Sequence, residues 1–238
     1  MEITTETTNT RPTADAPRGL GDPRITRTLD RLHAEARGDW KKALGILPAA
    51  ALGLLRGKSL MKSITPAQLA GIYIPVSREQ GEFLYILARA RGARRIVEFG
   101  ASFGISTVYL AAAAAIAGGE VITTEIEPSK CRAAEANLRE AGLDAHARVL
   151  EGDALQTLTT VDGPIDLLFL DGWKDLYIPV LELVRAHLVP GALVIADNIN
   201  LRDARPYVDH VRRPGSGFTS TVLHRGRLLL SCHEGTGA

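Results

Sequence analysis

Cysteine is nearly absent: Cys131 and Cys232 are the two among 238 residues. Two thiols cannot build a disulfide framework, so both are expected as buried or half-buried thiols, Cys131 on a helix and Cys232 in the last strand. Net charge is missing as well. The balance of 28 basic and 27 acidic residues leaves +1, which gives no reason to expect a nucleic acid or a membrane surface as partner. Ala49 to Leu55 is apolar but far short of the roughly 20 residues that span a bilayer. The Thr-rich, acidic N-terminus lacks the charged start and apolar middle of a secretory signal, and no internal repeat is visible. A soluble, cytoplasmic protein without a membrane partner is expected. With 45% apolar residues the chain can bury a full core, in one main domain.

What is present centres on residues 95–110. Ile96 to Phe99 is a short apolar run interrupted by Glu98, as suits a buried parallel strand. Gly100 and Gly104 follow, then an apolar helical run from Ile105 to Ile116. Strand, glycine turn and helix together bind a nucleotide-like ligand at the carboxyl end of a strand. Gly100 would let the backbone approach that ligand, and Gly104 would let the helix start tight against the strand. The free N–H groups of the helix start suit an anionic group such as a carboxylate. The third glycine of a dinucleotide fingerprint is absent, and so is the Gly-Lys-Ser/Thr of a P-loop. A generic strand-to-helix turn is the competing reading of this stretch alone.

The chain before this point reads as an arm and a cover. Residues 1–24, rich in Thr, Pro, Asp and Gly, read as a disordered arm. Residues 25–76 read as an N-terminal helical cover: a helix from Ile25 to Arg37, a second capped by Asp39 and running to Leu55, and a short one opening at Thr65-Pro66. Residues 77–238 form the main domain. Ser77 to Gln80 is a capping box for a helix to Arg91. Strands are expected at 95–99, 120–126, 147–151, 165–170 and 192–196, alternating with helices at 105–116, 128–141, 154–158, 175–188 and 203–211. Pro190-Gly191 reads as a turn. Two last strands around Arg225-Gly226 read as a hairpin. The pattern predicts an α/β fold with a mostly parallel sheet, an antiparallel C-terminal edge and helices around it.

Ligands in such a sheet bind beyond the carboxyl ends of its strands, and acids recur at those ends. Glu125 lies about twenty residues past the glycine turn, where an acid takes both hydroxyls of a ribose; a solvated strand-end acid is the weaker alternative. Asp153 suits either an adenine amino group or a turn. Asp171, Asp197 and Asn198 offer three oxygen donors at neighbouring strand ends, a set that suits Mg²⁺. Each could instead cap a helix, although one helix needs only one cap. Lys174 follows Asp171 by three residues. A lysine beside a dication gives up its proton more readily, because like charge disfavours the ammonium, and so could act as a general base. A solvated lysine is the competing reading. Trp173 is read equally as core or as an apolar wall for a flat substrate.

Asp171-Gly-Trp-Lys-Asp-Leu-Tyr177 and Pro190-Gly-Ala-Leu-Val-Ile-Ala-Asp-Asn198 resemble the metal-binding segments of the catechol O-methyltransferase and caffeoyl-CoA O-methyltransferase group. Glu98-Phe-Gly-Ala-Ser-Phe-Gly-Ile-Ser106 is similar to that group's methionine-binding turn. The likeness runs in order from about Leu60 to the end of the chain. It implies a Rossmann-like class I methyltransferase sheet with helices on both faces, S-adenosylmethionine as methyl donor and Mg²⁺ or another divalent cation as metal. Glu98 and Gly100 would belong to the cofactor turn. Val76 and Ser102 would line the methionine part and Ser106 would hold its carboxylate. Glu125 would take the ribose, Asp153 and Ala154 would border the adenine, and Asp171 would lie beside the cofactor. Asp171, Asp197 and Asn198 would bind the metal and Lys174 would be the base. The implied reaction is methyl transfer to a hydroxyl of a small catechol-like acceptor, with a homodimer as the implied assembly. In one departure, Thr219 falls where the catechol enzyme has a glutamate gripping the second hydroxyl. The alternatives are a relative acting on a hydroxyl of a tRNA base, for which Arg202, Arg205, Arg212 and Arg213 would line the mouth, and a protein that senses the methyl donor without catalysis.

Overall fold

The computed structural model describes residues 19–38 and 76–235. The expected helices at 39–55 and 65–68, and most of the expected arm, lie outside these residues. The first helix, α1, spans Pro23–Gly38, starting two residues before the expected Ile25 because Pro23 fits a first helical turn. A single 3₁₀ turn at Gly19–Gly21 precedes it.

Helix α2 (Arg78–Arg91) opens with the expected reciprocal capping box between Ser77 and Gln80 and closes on Gly92 in the left-handed region. The alternation that follows is β1 (Arg95–Phe99), α3 (Ile105–Ile116), β2 (Glu120–Glu125), α4 (Pro128–Glu140), β3 (Ala147–Glu151), α5 (Ala154–Thr157) and β4 (Ile165–Leu170). Helix α6 (Tyr177–Val184), β5 (Leu188–Ala196), α7 (Arg205–Arg212), β6 (Phe218–Leu223) and β7 (Leu228–His233) complete it. The seven strands form one sheet in the order β3-β2-β1-β4-β5-β7-β6. The first five are mutually parallel, and β7 runs antiparallel between β5 and β6.

Side chains alternate across the sheet with period two. Ile96, Leu167, Phe169 and Ile195 join one core with α1, α2 and α3, whereas Val97, Leu168, Leu170, Val194 and Ala196 join a second core with α6 and α7. Both faces of the strands are therefore covered, which accounts for their nearly continuous apolar runs. Helix α3 is buried from Ile105 through Ala114. Its alanines let α2 and the sheet close on it from both sides, and Gly81 of α2 leaves the space that the Tyr109 ring fills.

One expectation is corrected. Pro190-Gly191 is not a turn ahead of the fifth strand but part of it, since β5 already begins at Leu188. Gly191 sits at φ +76°, and the pairing of β4 with β5 shifts register between Ile165 and Leu167. A bulge is a place where an interior strand tolerates both residues.

Candidate active site

The carboxyl ends of the five parallel strands are stitched into a single row. Gly152 N donates to Glu125 O (2.9 Å), Gly100 N and Ala101 N to Thr124 O, Asp171 N to Phe99 O (2.9 Å) and Asp197 N to Leu170 O (3.0 Å). Each loop after a strand is thereby tied to its neighbour, and the acids at those ends share one edge.

At the glycine turn, Gly100 has φ +102°, and a Cβ there would stand 2.9 Å from Gly172 N and Cα. Its freedom therefore serves the packing of the turn after β1 against the turn after β4. Gly104, at φ +83°, caps α3, and a Cβ there would press on Ala134 of α4 at 3.2 Å; the close contact is helix against helix rather than helix against strand. Ser102 holds a left-handed φ of 48° without being glycine. Its N–H donates to Glu125 Oε2 at 2.8 Å, and Glu127 N donates to Glu125 Oε1 at 2.9 Å. Two backbone donors thus fix this carboxylate while leaving lone pairs on both oxygens. The Ser102 hydroxyl is buried without a hydrogen-bond partner. Ile126, next to Glu125, is 48% exposed. Sequence reasoning passed over it, although an isoleucine between two acids was the available signal.

Glu98 is fully buried beneath the turn. Its Oε2 accepts from Thr107 Oγ at 2.5 Å. Burial pushes this carboxyl up, and the hydroxyls of Ser106, Thr107 and Thr123 pull it back part of the way. Even so, Glu98 Oε1 and Thr123 Oγ1 form no full hydrogen bond. Glu98 and Ser106 thus meet at the start of α3. Asp153 is exposed, and its Oδ1 accepts from Leu155 N at 2.9 Å as the cap of α5, the turn-forming alternative. Ala154 and Val76 are buried at 5% and 3% exposure.

The structure brings Asp171, Lys174 and Asp197 together. Lys174, 4% exposed, donates from Nζ to Tyr177 Oη (2.7 Å) and to Asp171 Oδ1 (3.3 Å). The Tyr177 hydroxyl in turn donates to the Asp197 carbonyl at 3.0 Å. Burial pushes the Asp171 carboxyl up to about 7; the Lys174 ammonium opposes this, and the charges of Asp197 and Glu98 add to it. Burial likewise holds the Tyr177 hydroxyl well above the usual phenol range, so it acts as a neutral donor. Asp197 does not cap a helix. Its Oδ1 accepts from Asn198 N (2.8 Å), Gln80 Nε2 (3.2 Å) and Arg227 Nε (3.1 Å), and its Oδ2 accepts from Arg227 Nη2 (3.2 Å). Neither Gln80 nor Arg227 stood out in the sequence as a site residue. Asn198 turns into the left-handed region at φ +56°. Trp173 is half-buried beside these residues. Among the described residues no three His, Cys, Asp or Glu side chains converge, so a cation here depends on Asn198 for its third donor.

Thr219 is not at this edge. It pairs with Cys232, which faces Leu193, three residues before the carboxyl end of β5. The site end of β6 is Leu223, followed by His224 and Arg225, both at positive φ. The loose match that placed Thr219 here fails because the hairpin register sets it too far down the strand.

A mostly parallel seven-stranded sheet with an antiparallel strand inserted next to the outer edge, and acids along its carboxyl ends, defines the Rossmann-like methyltransferase class. A methyltransferase-domain family profile matches residues 97–199. Over 127 residues the chain is 39% identical to a catechol O-methyltransferase of Mycobacterium tuberculosis, covering 53% of this chain and 57% of that protein. A catechol O-methyltransferase of Niastella koreensis is 32% identical over 145 residues, 59% of this chain and 65% of that one. The chain thus matches less than two thirds of the length of either curated relative. The cofactor-bound structure of Rv0187 from MTB is 30% identical with a TM-score of 0.62, covering 79% of this chain and 91% of that chain. The chain carries a methyltransferase domain of the class I fold and is similar in sequence to catechol O-methyltransferases. Among the described residues, no helix is long and apolar enough to cross a membrane.

Proposed function

We propose that this protein transfers a methyl group from S-adenosylmethionine to a hydroxyl of a small catechol-like acceptor, with a divalent cation such as Mg²⁺ at Asp171, Asp197 and Asn198. The observation that carries the reading is the convergence of Lys174, Asp171 and Asp197, with Tyr177 bridging the lysine to the Asp197 backbone. Two carboxylates and an amide at neighbouring strand ends are a hard oxygen set, which fits a small dication. The high pKa of Asp171 agrees, because two acids share a poorly solvated place where added positive charge lowers the cost of ionising both. Asp197 Oδ2 carries a single hydrogen bond and keeps a lone pair.

When bound, the cation would polarise the acceptor hydroxyl, and the cofactor sulfonium would supply the methyl group. The chain's own residues do the rest. Ser102 and Glu125 hold the ribose and methionine portions against the glycine turn, and Ile126 gives the adenine an apolar face. Trp173 walls the acceptor side. Lys174 Nζ takes the proton from the acceptor hydroxyl, and Tyr177 and Asp171 hold that amine in place. Such positioning can supply roughly 7–11 kcal/mol of the barrier.

The test is a methyl-transfer assay on a panel of catechols and a tRNA pool, with Mg²⁺ or with chelator. Turnover on catechols that chelator and Asp171→Ala abolish is expected, together with a Lys174→Ala variant whose kcat falls more than its affinity for S-adenosylhomocysteine. Full activity in chelator would refute the metal. An unchanged rate in Lys174→Ala would remove the base, and turnover on tRNA alone would overturn the acceptor class.

A further inference from the structure

Both acids of the candidate metal set already carry a cation belonging to the chain. Lys174 sits on Asp171. On Asp197 sits Arg227, which follows the hairpin turn and precedes β7. Its Nε and Nη2 reach the two oxygens of Asp197 at 3.1 and 3.2 Å. A two-pronged guanidinium–carboxylate contact is among the stronger charge-assisted pairings.

The pair is lopsided in its surroundings. The Asp197 side chain is 2% exposed and that of Arg227 44%. The acid is fixed from below by Gln80 and the Asn198 N–H, and the Arg227 backbone is fixed by Ile199 N donating to its carbonyl at 2.9 Å. Only the guanidinium can leave, and it has solvent to leave into. With Lys174 on Asp171 and Arg227 on Asp197, each acid of the set has a basic side chain against it before any metal arrives. A small dication depends on the carboxylate charge it finds, and here the hairpin answers that of Asp197.

We propose that Arg227 is a resident competitor for the divalent cation at Asp197: the cation enters by taking Asp197 from the guanidinium, so this arginine sets metal affinity and couples metal loading to the hairpin turn. The proposal rests on the metal reading above. Because the turn at His224–Gly226 borders the same edge, loading the cation frees Arg227 at that edge.

The experiment is calorimetric titration of the full chain with Mn²⁺ in the absence of acceptor, for the wild type, Arg227→Gln and Arg227→Lys, with melting temperatures in chelator as a folding check. Arg227→Gln removes the charge but keeps a polar side chain, and should bind Mn²⁺ roughly 10- to 100-fold more tightly, as expected for removing a cation a few ångströms away in a partly solvated site. Arg227→Lys keeps the charge and should stay within about threefold of the wild type; it serves as the second comparison if the glutamine variant folds poorly, and a lysine variant binding more than about threefold more weakly than the wild type would then overturn the proposal. An Arg227→Gln variant that binds Mn²⁺ no more tightly than the wild type overturns the competition while leaving the metal reading standing. Absence of saturable Mn²⁺ binding in all three proteins overturns the metal reading and this proposal with it.

Discussion

Gly100 answers to two constraints at once. Its φ of +102° is closed to side-chain-bearing residues, and the space where a Cβ would go is taken by the backbone of Gly172 at 2.9 Å. Backbone cannot rotate aside as a flexible side chain can. Gly100→Ala must therefore pry the turn after β1 from the turn that carries Asp171 and Lys174. We expect a loss of about 2 kcal/mol or more in urea unfolding, with weaker binding of S-adenosylhomocysteine. A near-native variant would show that the two turns can separate freely. The residue was visible in the sequence as a turn glycine, but its partner was not, because 72 residues separate positions 100 and 172. Gln80 and Arg227 stayed hidden for the same reason. Gln80 meets Asp197 across 117 positions, and Arg227 meets it across 30. Asp171, Lys174, Asp197 and Asn198 could be picked out because each pair lies within one short segment at a strand end, where local spacing still carries information.

At the scale of elements, alternation was legible and irregularity was not. The strands at 95–99 and 165–170 match their apolar runs, because a strand buried on both faces needs apolar residues at nearly every position, and the half-exposed edge strand at 147–151 matches its expected bounds as well. The start of β5 was misread because Pro190 and Gly191 obey turn chemistry locally even inside the sheet. Helix α1 raises a further point. His33 is 7% exposed, and its Nε2 lies 3.1 Å from Tyr109 Oη on α3. Burial lowers its pKa, Arg78 and Arg37 lower it further, and Asp30 partly opposes them. A histidine whose folded pKa lies below its unfolded value stabilises fully above about 6.5 and loses that contribution as pH falls towards the folded pKa. Between about pH 7.5 and 5.5 the melting temperature of the wild type should therefore fall relative to that of His33→Gln, which keeps a donor near Tyr109. Parallel curves for the two proteins would mean that protonation of His33 does not loosen α1.

For the whole molecule, the proposed groups divide along the row of strand ends. Ser102, Glu125 and Asp153 follow β1, β2 and β3, while Asp171 and Asp197 follow β4 and β5. Cofactor and cation would thus be held by adjacent but separate stretches of the same edge, sharing only Asp171. A ligand bound by the folded chain alone stabilises it by mass action, about 2.7 kcal/mol at a concentration 100 times its Kd. In a chain of this size that corresponds to a rise of roughly 5–10 °C in Tm. S-adenosylhomocysteine should produce such a rise in a thermal melt, and most of it should survive chelator, because the Glu125 carboxylate and the Ser102 turn are fixed by backbone hydrogen bonds and not by a metal. Substituting Glu125 by Ala should remove most of the shift and also lower the melt without ligand, since Ser102 N and Glu127 N both lose their acceptor. A shift that vanished in chelator would mean that the cofactor half is organised through the cation half, and the division of labour along the strand ends would have to be abandoned.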